Sequence, residues 1–205
     1  MTLFPMFVKL DGKLVVVVGG GAIAEGKIES LLAAGARIRL IAPQIRPQIA
    51  EWVRFGKIEW LPKEFAAGDL EGASLVIAAT SAPGVNKAVF DEAEAAKILC
   101  NAVDDIENCH FYYGAVVQRG DLQIAVSTNG KSPALAQRIR KELEETYASE
   151  YGVWLEWLGA ARELLRANSS NVEETKAVLH QLATRESFER FLRQSRTGER
   201  RREVA

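Results

Sequence analysis

The chain has 205 residues, 48% of them hydrophobic, enough to bury a substantial core and incompatible with a disordered or fibrous protein. A net charge of -1 and a pI near 6.2 exclude a general nucleic-acid binder, which carries a basic excess. No apolar run approaches the roughly 18 residues of a membrane span, the N-terminus lacks a signal-peptide core, and Cys100 and Cys109 are too few for a disulfide framework. A cytoplasmic protein with no membrane or nucleic-acid partner is expected.

In chain order, the first element is the four-valine run Val15 to Val18, which favours a strand buried on both faces. It breaks into Gly19-Gly20-Gly21-Ala22-Ile23-Ala24, a fit to G-x-G-x-x-A. Gly19 suits the tight turn, Gly21 lets a pyrophosphate approach the backbone, and Ala24 lets the next helix pack closely on the sheet. That helix, expected from Ile23 to Ala34, points its free N–H groups and positive dipole end at the anion. A dinucleotide site is therefore expected at Gly19 to Ala24.

Arg37 to Ala42 reads as a second strand completing a βαβ unit, closed by Pro43. An acidic residue that would bond the ribose of NAD is absent there, since the strand leads into Pro43-Gln44. Gln44 suits ribose hydroxyls and Arg46 suits a 2′-phosphate, so the choice between NAD and NADP stays open. A helix over Ile45 to Phe55, a strand over Lys57 to Leu61, a buried strand over Ser74 to Thr80, a helix over Val85 to Ala96 and a strand over Ile98 to Val103 follow. This alternation predicts a Rossmann-like α/β fold with a doubly wound parallel sheet.

Ligands bind at the carboxyl ends of such strands, which singles out Gly19 to Ile23, Pro43-Gln44, Thr80-Ser81 and Asn101 to Asp105. Asp104 and Asp105 stand where a nicotinamide and its substrate would meet. Either suits a general base, and adjacent carboxylates also form turns. The histidines, His110 and His180, lie in no metal-ligand spacing, and no metal site is expected.

Beyond Asp105 the pattern changes to two strands, His110 to Val117 and Leu122 to Ser127, around the turn Gln118 to Asp121. Ser132-Pro133 then supplies a helix start, with Leu135, Ile139 and Leu143 recurring as a stripe that must pack on the hairpin or on another subunit. The loop Ser127 to Pro133 offers an anion site at Lys131 and Ser132, or simply a well-capped helix; it lacks the earlier glycine of a P-loop. From Glu150 the chain is helical, with Trp154, Leu155, Leu158, Ala161 and Leu165 on one face, a capping box at Ser170 to Glu173, a third helix over Ser187 to Arg193, and a charged tail from Arg196 expected to be disordered.

Three motifs in order, G-G-G-x-x-A-E-x-K at Gly19 to Lys27, C-N-x-V-D at Cys100 to Asp104 and S-T-x-G-K-S-P at Ser127 to Pro133, resemble the precorrin-2 dehydrogenase family, the N-terminal module of siroheme synthases. The resemblance extends from Phe4 to about Glu145, with Ala79-Thr80 and Val85-Asn86 also fitting. It implies an NAD-binding Rossmann domain over residues 1–113, a small mixed dimerisation region over 114–147 in a homodimer, and a helical C-terminal region over 148–205. It also implies oxidation of precorrin-2 to sirohydrochlorin with NAD, followed in some members by insertion of ferrous iron, a lyase step. Carried over, Asp104 is the catalytic carboxylate. Gly19, Gly20, Gly21, Ala22, Ile23, Ala24, Pro43, Gln44, Thr80 and Asn101 are expected to bind the cofactor, and Lys131 and Ser132 the carboxylates of the tetrapyrrole. The chain departs from the family at Thr80-Ser81-Ala82, which lacks an acidic pair, and at Gly114, where proline usually stands. A non-enzymatic module that senses NAD or a tetrapyrrole is the alternative reading.

Overall fold

The computed structural model describes residues 3–203, with side chains through 195. Two compact units divide the chain, Met1–Tyr113 and Gly114–Ala205.

The first unit contains β1 (Leu14–Val18), α1 (Ala22–Ala33), β2 (Arg37–Ile41), α2 (Pro47–Arg54), β3 (Glu59–Leu61), β4 (Leu75–Ala78), α3 (Pro83–Ala95) and β5 (Leu99–Ala102). The five strands are parallel in the order β3-β2-β1-β4-β5, with Val15 flanked by Ile38 and Leu75. The valine run explains the layering. Val15 and Val17 pack with Ala24, Ile28, Leu31 and Ile49 of α1 and α2, whereas Val16 and Val18 pack with Val89 and Ala93 of α3. All four valines are buried, each burial contributing about 1.5–3 kcal/mol. Because β1 starts both halves of the sheet, the sense in which successive strands are added reverses between β1 and β4, the point in such sheets where strand ends leave a crevice that suits a ligand. The α/β class and doubly wound sheet expected from the sequence are present.

In the second unit, β6 (Ala115–Arg119) pairs antiparallel with β7 (Leu122–Val126) across Gly120-Asp121. The strand predicted from His110 begins only at Ala115, because His110 is drawn into contacts with β5: its N–H donates to the Cys100 carbonyl and its Nδ1 accepts from the Cys100 N–H. α4 (Pro133–Thr146) packs on this hairpin. Arg119 closes the C-terminal end of α4, donating to the carbonyls of Glu144 and Tyr147. The apolar stripe of α4 is incompletely covered, since Leu135 remains 40% exposed.

α5 (Glu150–Asn168), α6 (Val172–Leu182) and α7 (Arg185–Glu203) complete the unit. Gly152 lets α5 approach the hairpin turn; an added Cβ would lie 3.0 Å from the Arg119 carbonyl. Phe188 of α7 meets Tyr151 and Trp154 of α5 through ring contacts of 4.1 and 5.0 Å. The cap of α6 is Asn171, whose side chain accepts from the N–H groups of Glu173 and Glu174, in place of the box expected to start at Ser170. Asn171 wins because its carbonyl reaches both orphan donors at once. α7 starts earlier and ends later than predicted, and its backbone is helical through Glu203 where the charged composition suggested disorder; arginine and glutamate are good helix formers. The last two residues of that expected disordered tail, Val204 and Ala205, lie outside the described residues. Among the described residues no helix is long and apolar enough to cross a membrane.

Candidate functional site

The three glycines of the turn after β1 differ in their surroundings. Gly19 adopts φ +114, and a Cβ there would meet the Ala79 carbonyl oxygen at 2.4 Å. Gly20 lies against Gln44, whose carbonyl oxygen would be 2.1 Å from an added Cβ. Gly21 differs, because nothing lies within 4 Å of its missing Cβ. It is also the N-cap of α1, and no side chain caps that end. The start of α1 thus offers first-turn N–H groups that no cap side chain satisfies, a helix end of the kind a pyrophosphate suits. Residues present and ligand chemistry fit.

Around this turn stand the other strand ends. Pro43 and Gln44 are exposed just beyond β2. Arg46, the candidate 2′-phosphate ligand, donates instead to Glu25 Oε2 at 2.8 Å. After β4, Thr80 is locked to Asn86: the Thr80 hydroxyl donates to Asn86 Oδ1 at 2.7 Å, and Asn86 Nδ2 returns a bond to the Thr80 carbonyl at 3.1 Å. Buried Asn101 donates to the Phe111 carbonyl at 2.8 Å and to Cys109 Sγ at 3.3 Å. Its amide nitrogen thus holds the segment after β5 in place.

The two aspartates beyond β5 are distinguished by their surroundings. Asp105 is committed to its own turn, accepting from Asn108 Nδ2 at 2.6 Å and from the Asn108 N–H at 3.3 Å. Asp104 is exposed, sits at φ +62 and makes no hydrogen bond or ion pair among the described residues. Lys27 of α1 places its ammonium 3.3 Å from the centroid of the Tyr113 ring. Burial pulls the Lys27 pKa below 10.5 while the Asp104 charge pushes it back up. Burial raises the Tyr113 hydroxyl to about 12 and the Cys100 thiol to about 12, so both stay protonated at neutral pH.

His110 is structural. With Nδ1 accepting from Cys100, its proton sits on Nε2, which faces Glu94 Oε2 at 2.5 Å, and its ring stacks on Phe90. Among the described residues no group of three His, Cys, Asp or Glu side chains is placed to hold a metal ion.

Lys131 and Ser132 belong to the second unit. Ser132 Oγ accepts from the Leu135 N–H at 3.2 Å and so caps α4, and the Thr128 hydroxyl closes the loop by donating to the Ser132 carbonyl at 3.0 Å. Lys131 is exposed on that loop.

Residues 6–115, more than half of the chain, match the family described as putative NAD(P)-binding, and residues 119–146 match the one described as sirohaem biosynthesis protein central. The chain belongs to the siroheme synthase N-terminal, or precorrin-2 dehydrogenase, family. Among its relatives, siroheme synthase 3 of Aeromonas hydrophila is 39% identical over 176 residues, covering 86% of this chain and 38% of the relative. The siroheme synthase of Neisseria meningitidis serogroup C is 38% identical over 176 residues, covering 86% of this chain and 37% of the relative. A solved structure titled "SirC, precorrin-2 dehydrogenase" superposes with a TM-score of 0.78 at 28% identity, covering 94% of this chain and 98% of that one. This chain thus spans under two fifths of these siroheme synthases but nearly all of the solved one.

The glycine turn lies within the stretch that matches the NAD(P)-binding family, and the space at Gly21 fits a group of that kind. Lys27 carries a second message that sequence reasoning missed. It is part of the first motif, yet only its helical position signals anything: it shares the packing side of α1 with Ala24, Ile28 and Leu31, where a charge is out of place.

Proposed function

We propose that this chain oxidises precorrin-2 to sirohydrochlorin with NAD as oxidant. The observation that carries the reading is the pairing, in one unit, of an uncapped glycine turn fit for a pyrophosphate with an exposed, unbonded Asp104 at the next strand end but one. Bound NAD supplies the hydride acceptor. Asp104 takes the proton that the substrate loses as the hydride leaves, and passes it to solvent. The glycine turn and the first turn of α1 hold the pyrophosphate, with Pro43 and Gln44 beside the adenosine ribose and Thr80 and Asn101 along the strand ends. Arg46 is engaged by Glu25, which favours NAD over NADP. Lys131 and the Ser132 helix start are assigned to the carboxylates of the tetrapyrrole.

The chain is further assigned to a homodimer, supported by the open edges of the β6-β7 hairpin and by the exposed Val116 and Leu135. A cytoplasmic setting suits the free thiols Cys100 and Cys109. Ferrous iron is a second substrate to be tried, because a carboxylate that accepts a proton from the tetrapyrrole also suits removal of pyrrole protons.

The test is incubation of the purified chain with precorrin-2, with and without NAD. Sirohydrochlorin absorbance that appears only when both chain and NAD are present supports the enzyme. Tetrapyrrole binding without turnover supports the sensing module instead.

A further inference from the structure

Lys27 is held in place without being neutralised. Its ammonium lies over the Tyr113 ring, Tyr113 packs on Phe111 at 5.7 Å, and Asn101 fixes the Phe111 carbonyl from β5. Among the described residues no carboxylate lies within ion-pair distance of Lys27, and its three N–H donors make no hydrogen bond. A cation over a ring contributes about 0.5–2 kcal/mol, but a methionine or leucine on this packing side would fill the same space without the penalty of burying a charge. Packing alone does not explain a lysine here.

The charge makes sense against the substrate. Asp104 must meet a tetrapyrrole carrying many carboxylates, and like charges at close range in a water-poor site repel strongly. The Lys27 ammonium, which feels the Asp104 charge, offsets that repulsion and gives one carboxylate a fixed partner. The cofactor pyrophosphate is a poorer partner, because Gly21 lies six residues, about 9 Å along the axis, back on α1.

We propose that Lys27 is a carboxylate-binding residue of the substrate site: its ammonium, held over the Tyr113 ring, receives a carboxylate of the tetrapyrrole and sets the macrocycle against Asp104. The assignment rests on the dehydrogenase reading.

The experiment compares wild type, Lys27→Met and Lys27→Arg in steady-state oxidation of precorrin-2, with NAD affinity measured separately by titration. Lys27→Met is expected to raise KM for precorrin-2 about ten-fold, with kcat and NAD affinity changed less than about three-fold, because one charged contact is lost. Lys27→Arg restores most of the KM, and the Lys27→Met defect shrinks as salt rises. An unchanged KM, a fall confined to kcat, or a loss of NAD affinity overturns the assignment. Wild type that does not oxidise precorrin-2 overturns the dehydrogenase reading instead. Direct binding of sirohydrochlorin then decides on Lys27: weaker binding by Lys27→Met supports its role, and equal binding overturns it.

Discussion

Gly20 and the Gln44 carbonyl oxygen are so close that a Cβ on Gly20 would come within 2.1 Å of it. The contact ties the turn after β1 to the end of β2, so Gly20 serves the fold, whereas the space at Gly21 is open and is the place proposed for the pyrophosphate. Gly20→Ala should therefore destabilise the protein by about 1–3 kcal/mol, read as a lower Tm. Gly21→Asp should leave Tm unchanged or raise it, since aspartate is a good N-cap in extended backbone, while its charge repels the pyrophosphate and lowers NAD affinity by about a hundred-fold or more. Calorimetry and NAD titration separate the two effects.

Asp104 and Asp105 should part in the same way. Asparagine tolerates the φ of +62 at residue 104, so Asp104→Asn is expected to keep Tm and NAD affinity while turnover falls by about 10²–10⁴. Asp105→Ala removes both bonds to Asn108 and should lower Tm. Single-turnover kinetics with saturating NAD report the first outcome.

The Arg46–Glu25 pair should set the cofactor preference. Glu25→Gln frees the Arg46 guanidinium, and NADP affinity is expected to rise about ten-fold with little change for NAD. Parallel titrations with the two cofactors measure it.

Lys27 also makes a prediction for stability against pH. Its folded pKa is depressed below 10.5, so in the interval between the two values the unfolded state binds more protons than the folded one. Stability therefore rises with pH through that interval, and the penalty is fully present at neutral pH. Lys27→Met should be no less stable than wild type at pH 7, and the stability difference between them should narrow as pH rises toward 10.5. Denaturant unfolding across this range tests the sign.

Much of the first unit is legible in the sequence because period and punctuation agree there. The valine run can only be a strand covered on both sides, and Gly19 to Ala24 can only follow such a strand if a helix begins at once. Asp104 itself was reached by resemblance, and what separates it from Asp105 is the bonding of Asn108, a contact within the turn that no residue pattern encodes. The start of β6 was misjudged because His110 looks like the head of an apolar strand until its ring is seen held by Cys100 and Glu94. Asn171 displaced Ser170 as a cap for a similarly local reason. Lys27 was visible as a charge on an apolar helix side, but the ring beneath it comes from a residue far along the chain.

The most direct test of the central claim is stoichiometry: NADH and sirohydrochlorin followed together during reaction of precorrin-2 with NAD and the purified chain. The account predicts that the two appear at equal rates, one hydride for each macrocycle oxidised, and that Asp104→Asn stops both. Sirohydrochlorin formed without NADH, or at the same rate when NAD is withheld, would contradict it.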